Sequence, residues 1–339
     1  MTRILMLTTG GTIASTASPD GLLPTLTADE LMSLLPKIDR EVSIDIQSLF
    51  HLDSSDMTPD HWIRIADAVR ENYDAYDGFV ITHGTDTMAY TAAALSYMIR
   101  KADKPIVITG AQSPIGFEIT DAKANLHDSI LYAADSWSRG VQVVFAGKVI
   151  AGTRVRKIRS MSYSAFGSIN LPEIAEIAGG RIVRYLTDEE FYGRERTGRA
   201  EFSRKLDPKV FLLKLTPGMA PELLREIFRL YDAVVIESFG AGGIPESLEG
   251  EMKEILKGYS PAEKVLAMTT QVTYEGSHME TYEVGRRLRD GYDVLEARDM
   301  TLEAVVTKLM WILGDRPGSW EEISRRFYEP VALDTLVTD

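Results

Sequence analysis

Phe79-Val80-Ile81-Thr82-His83-Gly84-Thr85-Asp86-Thr87 runs directly into Met88-Ala89-Tyr90-Thr91-Ala92-Ala93-Ala94-Leu95. Phe79, Val80 and Ile81 are large, apolar and partly β-branched, as a buried strand requires. His83 to Thr87 is polar and holds a glycine, so it reads as a tight turn. Met88 to Ile99 is rich in Ala, Leu and Met, which favour helix. A strand, a turn and a helix make half of a βαβ unit. In open parallel sheets, ligands bind beyond the carboxyl ends of the strands. That places Thr85 and Asp86, a hydroxyl and a carboxylate, where a small ligand would meet them. A plainer role is open too: Asp86 or Thr87 as the N-cap of the helix.

The same alternation extends in both directions. Ile4 to Leu7 reads as a first buried strand that leaves through Gly10-Gly11-Thr12-Ile13-Ala14. Pro19-Asp20-Gly21 signals a turn, and Thr27-Ala28-Asp29-Glu30 a capping box for a helix ending near Pro36. Val42 to Ile46 alternates like a half-exposed strand, and Leu52 to Asp56 is a polar loop. Thr58-Pro59 marks a helix start that carries Trp62, Ile65, Ala66 and Val69 at helical spacing. Pro105 to Gly110 is a strand ending in a polar loop, and Ala122 to Ala134 a helix. Val141 to Phe145 and Val149 to Ala151 flank Ala146-Gly147-Lys148 as a hairpin. The fold class is therefore α/β: a larger N-terminal doubly wound, mostly parallel sheet with an antiparallel edge, over residues 1–186. Residues 187–208 are charged and aperiodic and read as an interdomain linker. Strand and helix patterns restart over 209–339, a smaller C-terminal α/β domain that includes Gly240-Ala241-Gly242-Gly243 and a capping box at Ser319.

Composition narrows the function. The 339 residues carry 50 acidic and 37 basic side chains, a net charge of −13. Such a chain repels phosphates, which argues against nucleic-acid or anionic-membrane partners. No run approaches the roughly 20 apolar residues of a membrane span. There is no cysteine, which excludes disulfides, thiolate metal sites and a cysteine nucleophile. A cytoplasmic enzyme is expected.

A Gly-Thr dipeptide follows each of two strands, Gly11-Thr12 and Gly84-Thr85. Glycine lets backbone N–H groups approach a ligand closely, and a threonine hydroxyl needs a base to act as nucleophile. Lys157, in the basic run Arg154-Val155-Arg156-Lys157-Ile158-Arg159, could serve beside Asp86 if that run folds over the strand ends. Otherwise it is one more solvated cation. Gly240-x-Gly242 lacks the third glycine of a dinucleotide fingerprint, and Pro245 sits where a helix would be entered. His127-Asp128 and His51-x-Asp53 lack partners at ligand spacing. No metal and no cofactor are expected.

Thr9-Gly10-Gly11-Thr12-Ile13-Ala14, together with Ile81 to Thr91, resembles the two signature segments of the bacterial-type L-asparaginase family, type I and archaeal branch. Asp53-Ser54-Ser55-Asp56, Thr109-Gly110-Ala111-Gln112, Lys157, Ser238 to Gly242 and Thr269-Thr270-Gln271 resemble it as well. The resemblance implies hydrolysis of L-asparagine to L-aspartate and ammonia through an acyl-enzyme. It implies Thr12 as nucleophile on an N-terminal loop, with Thr85, Asp86 and Lys157 as the second catalytic group. It implies that Asp53, Ser54 and Ser55 hold the α-carboxylate and its surroundings, Asp86 the α-ammonium, and that Gly11, Gly84 and Ala111 line the substrate. It puts oxyanion donors at the Gly11 and Thr85 N–H groups. Family sites lie at subunit contacts, so a homodimer or dimer of dimers is implied.

Three positions depart from the family pattern. Leu22 stands where a loop tyrosine is common. Gly243 stands where a partner asparagine is common. Glu237 stands where some type I enzymes bind effector asparagine with arginine, so no such activation is expected. The rival readings are the amidase subunit of a tRNA-dependent amidotransferase and a non-catalytic amino-acid-binding protein on the same scaffold.

Overall fold

Strands buried on both faces cannot alternate; they must be apolar throughout. That is how β5 (Gly78–Thr82) and β7 (Pro105–Thr109) are built up to the threonine that ends each, every residue being buried. The computed structural model describes residues 1–18, 21–24, 30, 33–34, 41–185, 199–281 and 283–336. It divides into two compact units, Met1–Arg204 and Lys205–Asp339. The division falls inside the stretch expected as linker. Part of that stretch, β14 (Glu201–Phe202), pairs with β6 (Ile99–Arg100) of the first unit. The expected turn at Pro19-Asp20 and the capping box at Thr27 to Asp29 lie outside the described residues, as do residues 186–198 of the linker.

The first unit is organised on an eight-stranded sheet. β1 (Thr2–Gly10) pairs in parallel with both β4 (Val42–Leu52) and β5. β5 pairs in parallel with β7, and β7 with β8 (Gly140–Phe145). Beyond β8 the sheet turns antiparallel through β9 (Lys148–Ala151), β12 (Ala175–Ala178) and β13 (Arg181–Arg184). The hairpin of β8 and β9 and the antiparallel edge match the sequence pattern. Two shorter antiparallel pairs complete the unit: β2 (Ser15–Ser18) with β3 (Gly21–Pro24), and β10 (Val155–Lys157) with β11 (Phe166–Ser168).

Helices α1 (Pro59–Asn72), α2 (Met88–Met98) and α3 (Ala122–Ala133) connect the parallel strands. Ile4, Met6, Val80, Val107 and Val144 share one core with Leu126 and Ile130 of α3. α2 is buried nearly all round, which explains its run of alanines.

This order has a positional consequence. The chain leaves β1 toward β4 on one side and leaves β5 toward β7 on the other. The carboxyl ends of β1 and β5 therefore flank the point where strand order reverses, and there an open α/β sheet forms its crevice. The two Gly-Thr dipeptides follow these two strands.

The second unit carries four parallel strands in simple order: β15 (Val210–Lys214), β16 (Ala233–Ser238), β17 (Val265–Thr270) and β18 (Val294–Glu296). α4 (Leu223–Leu230), α5 (Glu246–Leu256), α6 (Glu283–Gly291), α7 (Leu302–Gly314) and α8 (Trp320–Tyr328) accompany them. Ser319 caps α8 by accepting from the Glu322 N–H, as its sequence signals. Pro245 does not block helix entry but occupies the N-cap of α5. The core gathers Leu213, Phe228, Val234, Ile236, Leu266 and Met268.

Candidate active site

Three loops at the carboxyl edge of the first sheet are locked by glycine contacts. A methyl group on Gly11 would lie 2.4 Å from the Gly84 nitrogen and 2.5 Å from its α-carbon. One on Gly84 would lie 2.6 Å from Ser54 Oγ, and one on Gly10 2.5 Å from the Leu52 backbone. Gly10 and Gly11 also sit at φ +103° and +78°, where a side chain is strained. Glycine is required here for backbone conformation and close approach together. The loops after β1, β4 and β5 thereby become one surface.

The β5 loop is the fixed side of the site. Thr85 is buried, and its Oγ1 accepts from Lys157 Nζ at 2.7 Å while donating to Gln112 Oε1 at 3.2 Å. Lys157 Nζ also lies 2.6 Å from Asp86 Oδ1. The basic run does fold over the strand ends: Lys157 closes β10 and reaches back to the β5 loop. Asp86 is largely exposed and Lys157 largely covered. The pair therefore presents a carboxylate to solvent and an ammonium to the buried hydroxyl.

The helix-cap alternative fails. Thr87 is the N-cap of α2 but makes no side-chain cap bond. Its hydroxyl donates instead to the Ser54 carbonyl at 2.7 Å, and Ser54 Oγ accepts from the Asp86 N–H at 3.3 Å. These side chains fasten the β4 loop to the β5 loop.

The β4 loop is a single 3-10 turn, Ser54–Asp56, initiated by Asp53. Asp53 Oδ1 accepts from the Ser55 N–H at 2.8 Å and from the Ser55 hydroxyl at 2.7 Å. The backbone bond first, then the hydroxyl, holds its carboxyl below the ordinary range. Asp53 and Ser55 are exposed, whereas Ser54 is buried beneath them. Asp53 and Ser55 are thus the two members of this trio that face outward.

Thr12 opens a 3-10 turn, Thr12–Ala14, directly after Gly11. Its hydroxyl has no hydrogen-bond partner among the described residues. One expectation is corrected here. The Gly11 N–H donates to the Leu52 carbonyl at 3.0 Å, so it is already engaged and cannot hold an oxyanion. Edge strand β4 extends to Leu52 and supplies that acceptor. The Thr12 and Thr85 N–H groups have no acceptor among the described residues. Leu22 lies in β3 with its backbone paired to Ala17.

Two further layers are not evident in the sequence. Gln112 ties Thr85 to the turn after β10, its Nε2 donating to the Ser160 carbonyl at 3.0 Å and the Ser162 carbonyl at 3.3 Å. Buried Asp121 in turn accepts from the backbone N–H groups of Gln112 and Ser113, which sets the loop carrying buried Ala111. The available signal is the polar loop after β7, of which the resemblance assigns only Ala111 to the substrate. Beneath the β5 loop, His83 is wholly buried. Burial holds its pKa down at about 4, against the opposing pull of its bond to the Gly84 carbonyl.

The remaining candidates lie apart. Among the described residues, His127 pairs only with its neighbour Asp128, and His51 with Ser48. Gly240 and Gly242 form a turn after β16, where Gly242 packs on Met279. Glu237 is buried in β16 and bonded to Lys214 at 3.2 Å. Among the described residues, no helix is long and apolar enough to cross a membrane.

Comparison with known proteins agrees with this architecture. Residues 3–190 match the family model "Asparaginase, N-terminal", and residues 209–327 match "Glutaminase/Asparaginase C-terminal domain". An L-asparaginase of Thermococcus kodakarensis is 42% identical over 317 residues, 92% of this chain and 93% of that protein. One of the subunits of the glutamyl-tRNA(Gln) amidotransferase of Pyrococcus furiosus is 36% identical, over 92% of this chain and 72% of that protein. Among solved structures, the thermostable L-asparaginase of Thermococcus kodakarensis superposes with a TM-score of 0.90 at 39% identity, covering 99% of this chain and 100% of that one. L-asparaginase I of Vibrio cholerae superposes at 0.85 with 29% identity, covering 99% of each. With two matched domains spanning most of its length, the chain belongs to the asparaginase family.

Proposed function

We propose that this protein hydrolyses L-asparagine to L-aspartate and ammonia through an acyl-enzyme on Thr12. The carrying observation is the Lys157 ammonium held between Thr85 Oγ1 and Asp86 Oδ1, on the loop whose Gly84 abuts Gly11. Thr12 Oγ attacks the side-chain amide carbon. The oxyanion that forms is held by the Thr12 and Thr85 N–H groups, which have no acceptor among the described residues. The amide C–N bond breaks as its nitrogen takes the proton that the Thr12 hydroxyl gives up, and ammonia leaves. Water then attacks the ester, one of its protons passing to the Thr85–Lys157–Asp86 group through the Asp86 carboxylate; the acyl C–O bond breaks, that proton returns to Thr12 Oγ1, and aspartate departs. Ser55 faces outward toward the α-carboxylate, Asp53 belongs to its surroundings as the acceptor that holds Ser55 in place, and the exposed Asp86 carboxylate receives the α-ammonium. Gly11, Gly84, Ser54 and Ala111 shape the wall.

Assembly and location follow from the same resemblance. It supports a homodimer or dimer of dimers with sites at subunit contacts, with no nucleic acid, membrane, metal or cofactor taking part. A structural neighbour described as a probable cytoplasmic L-asparaginase, from Campylobacter jejuni, supports a cytoplasmic location. Identity and coverage favour an asparaginase over an amidotransferase component. Ammonia release from asparagine, glutamine and their D-forms tests this. Turnover of L-asparagine with equimolar aspartate supports the reading; release from glutamine only, or none, overturns it.

A further inference from the structure

We infer that His83 is a positioning residue, which aims the Thr85 N–H into the site by holding the carbonyl of the preceding residue. The inference rests on the acyl-enzyme reading above, in which that N–H receives the oxyanion.

The hydrogen-bond chain has only one consistent direction. Trp62 Nε1 can only donate, and it lies 2.9 Å from Thr91 Oγ1. Thr91 Oγ1 keeps its own hydrogen to give and lies 2.9 Å from His83 Nε2, so the direction of that bond is set from the other side of the ring. The Gly84 carbonyl can only accept, and it lies 2.7 Å from Nδ1, so Nδ1 carries the hydrogen. In the neutral ring Nε2 is then the acceptor, and Thr91 donates to it. Every atom agrees on one neutral tautomer, and the whole chain is buried.

The consequence follows from peptide geometry. The Gly84 carbonyl and the Thr85 N–H belong to one planar trans peptide group and point in opposite directions. Fixing the carbonyl downward on His83 fixes the N–H outward. Gly84 has no side chain to restrain that plane, so the restraint must come from elsewhere. The next peptide is held separately, because the Asp86 N–H donates to Ser54 Oγ. His83 itself is anchored through its own N–H to the Thr109 carbonyl at 2.8 Å. The imidazole touches no substrate in this arrangement and exchanges no proton. It serves through orientation, and preorganised donors lose much of their effect when misaimed.

The test compares His83→Leu, His83→Asn and Thr91→Val in steady-state ammonia release, with thermal unfolding measured for each. Asn retains a donor near the place of Nδ1, whereas Leu has none. Thr91→Val keeps shape and removes the hydroxyl that supports the tautomer by donating to Nε2 and that accepts from Trp62 Nε1. The expected result is a kcat lower by roughly 10- to 100-fold in His83→Leu and by a smaller factor in Thr91→Val, with KM for asparagine little changed. His83→Asn should recover most of the lost kcat. If His83→Leu does not fold, Thr91→Val and His83→Asn decide. Wild-type kcat in folded His83→Leu or Thr91→Val overturns the inference, as does equal impairment of the Asn and Leu variants. Thr12→Ala, run alongside, separates the two levels. Inactive Thr12→Ala beside fully active His83→Leu removes only the aiming role. Active Thr12→Ala removes the acyl-enzyme reading and the aiming role with it.

Discussion

The α-carbon of Gly11 rests on the backbone of Gly84, so closely that a methyl group would stand 2.4 Å from the Gly84 nitrogen. This contact joins the ends of β1 and β5 and brings the two Gly-Thr dipeptides side by side. Gly11→Ala should therefore fail twice, through backbone overlap and through a left-handed φ of +78°. The expected loss of stability is roughly 3 kcal/mol or more, read from the denaturant midpoint. A fully stable and active Gly11→Ala protein would show that the two loops need not touch.

Lys157→Met keeps most of the length of the side chain and removes the ammonium between Thr85 and Asp86. Turnover should fall by about 10²- to 10⁴-fold, the usual range for a lost proton-transfer group. Continuous ammonia assays resolve such a loss easily. Turnover within a few fold of the parent would leave Thr85 and Asp86 without a catalytic cation.

Much of this is legible in the residue pattern, and the exceptions have physical causes. The order of strands and helices follows from apolar runs and turn residues, because a sheet buried on both faces leaves an unbroken signature. The Lys157 contact spans 72 residues to Thr85 and depends on how β10 and β11 bend over the sheet. No local pattern encodes that bend. The engagement of the Gly11 N–H is hidden for a similar reason: its acceptor, Leu52, belongs to a strand adjacent in space only. In the sequence His83 is an isolated histidine, because its partner Thr91 lies on α2 and the donor to Thr91, Trp62, on α1.

Stability should respond to pH through His83. Its folded pKa, about 4, lies below the ordinary value of 6.5, so the unfolded chain binds more protons between the two. Stability is then full above about pH 6.5 and falls as pH drops toward 4, by roughly 3 kcal/mol in all. The groups bonded to its ring, the Gly84 carbonyl and the Thr91 hydroxyl, do not titrate in that window. The urea midpoint should drop more between pH 7.5 and 4.5 in the parent than in His83→Asn. The same pH sensitivity in both proteins would assign the effect to other groups.

Glu237 bears on regulation. It is buried in β16 and paired with Lys214, a carboxylate where the resemblance places an effector-binding arginine. A carboxylate repels the carboxylate of an amino-acid effector. Initial rates against asparagine concentration should follow a hyperbola, and a sigmoidal curve would contradict this.

Thr12 carries the chemistry proposed for this site. Its hydroxyl is unengaged among the described residues and follows the Gly11–Gly84 contact at the crevice. Thr12→Ala removes one unpaired hydroxyl and should leave thermal unfolding unchanged. Ammonia release from L-asparagine by the folded variant should fall by about 10⁴-fold or more, as for other lost nucleophiles. Release at the parent rate would contradict the assignment of Thr12 as nucleophile.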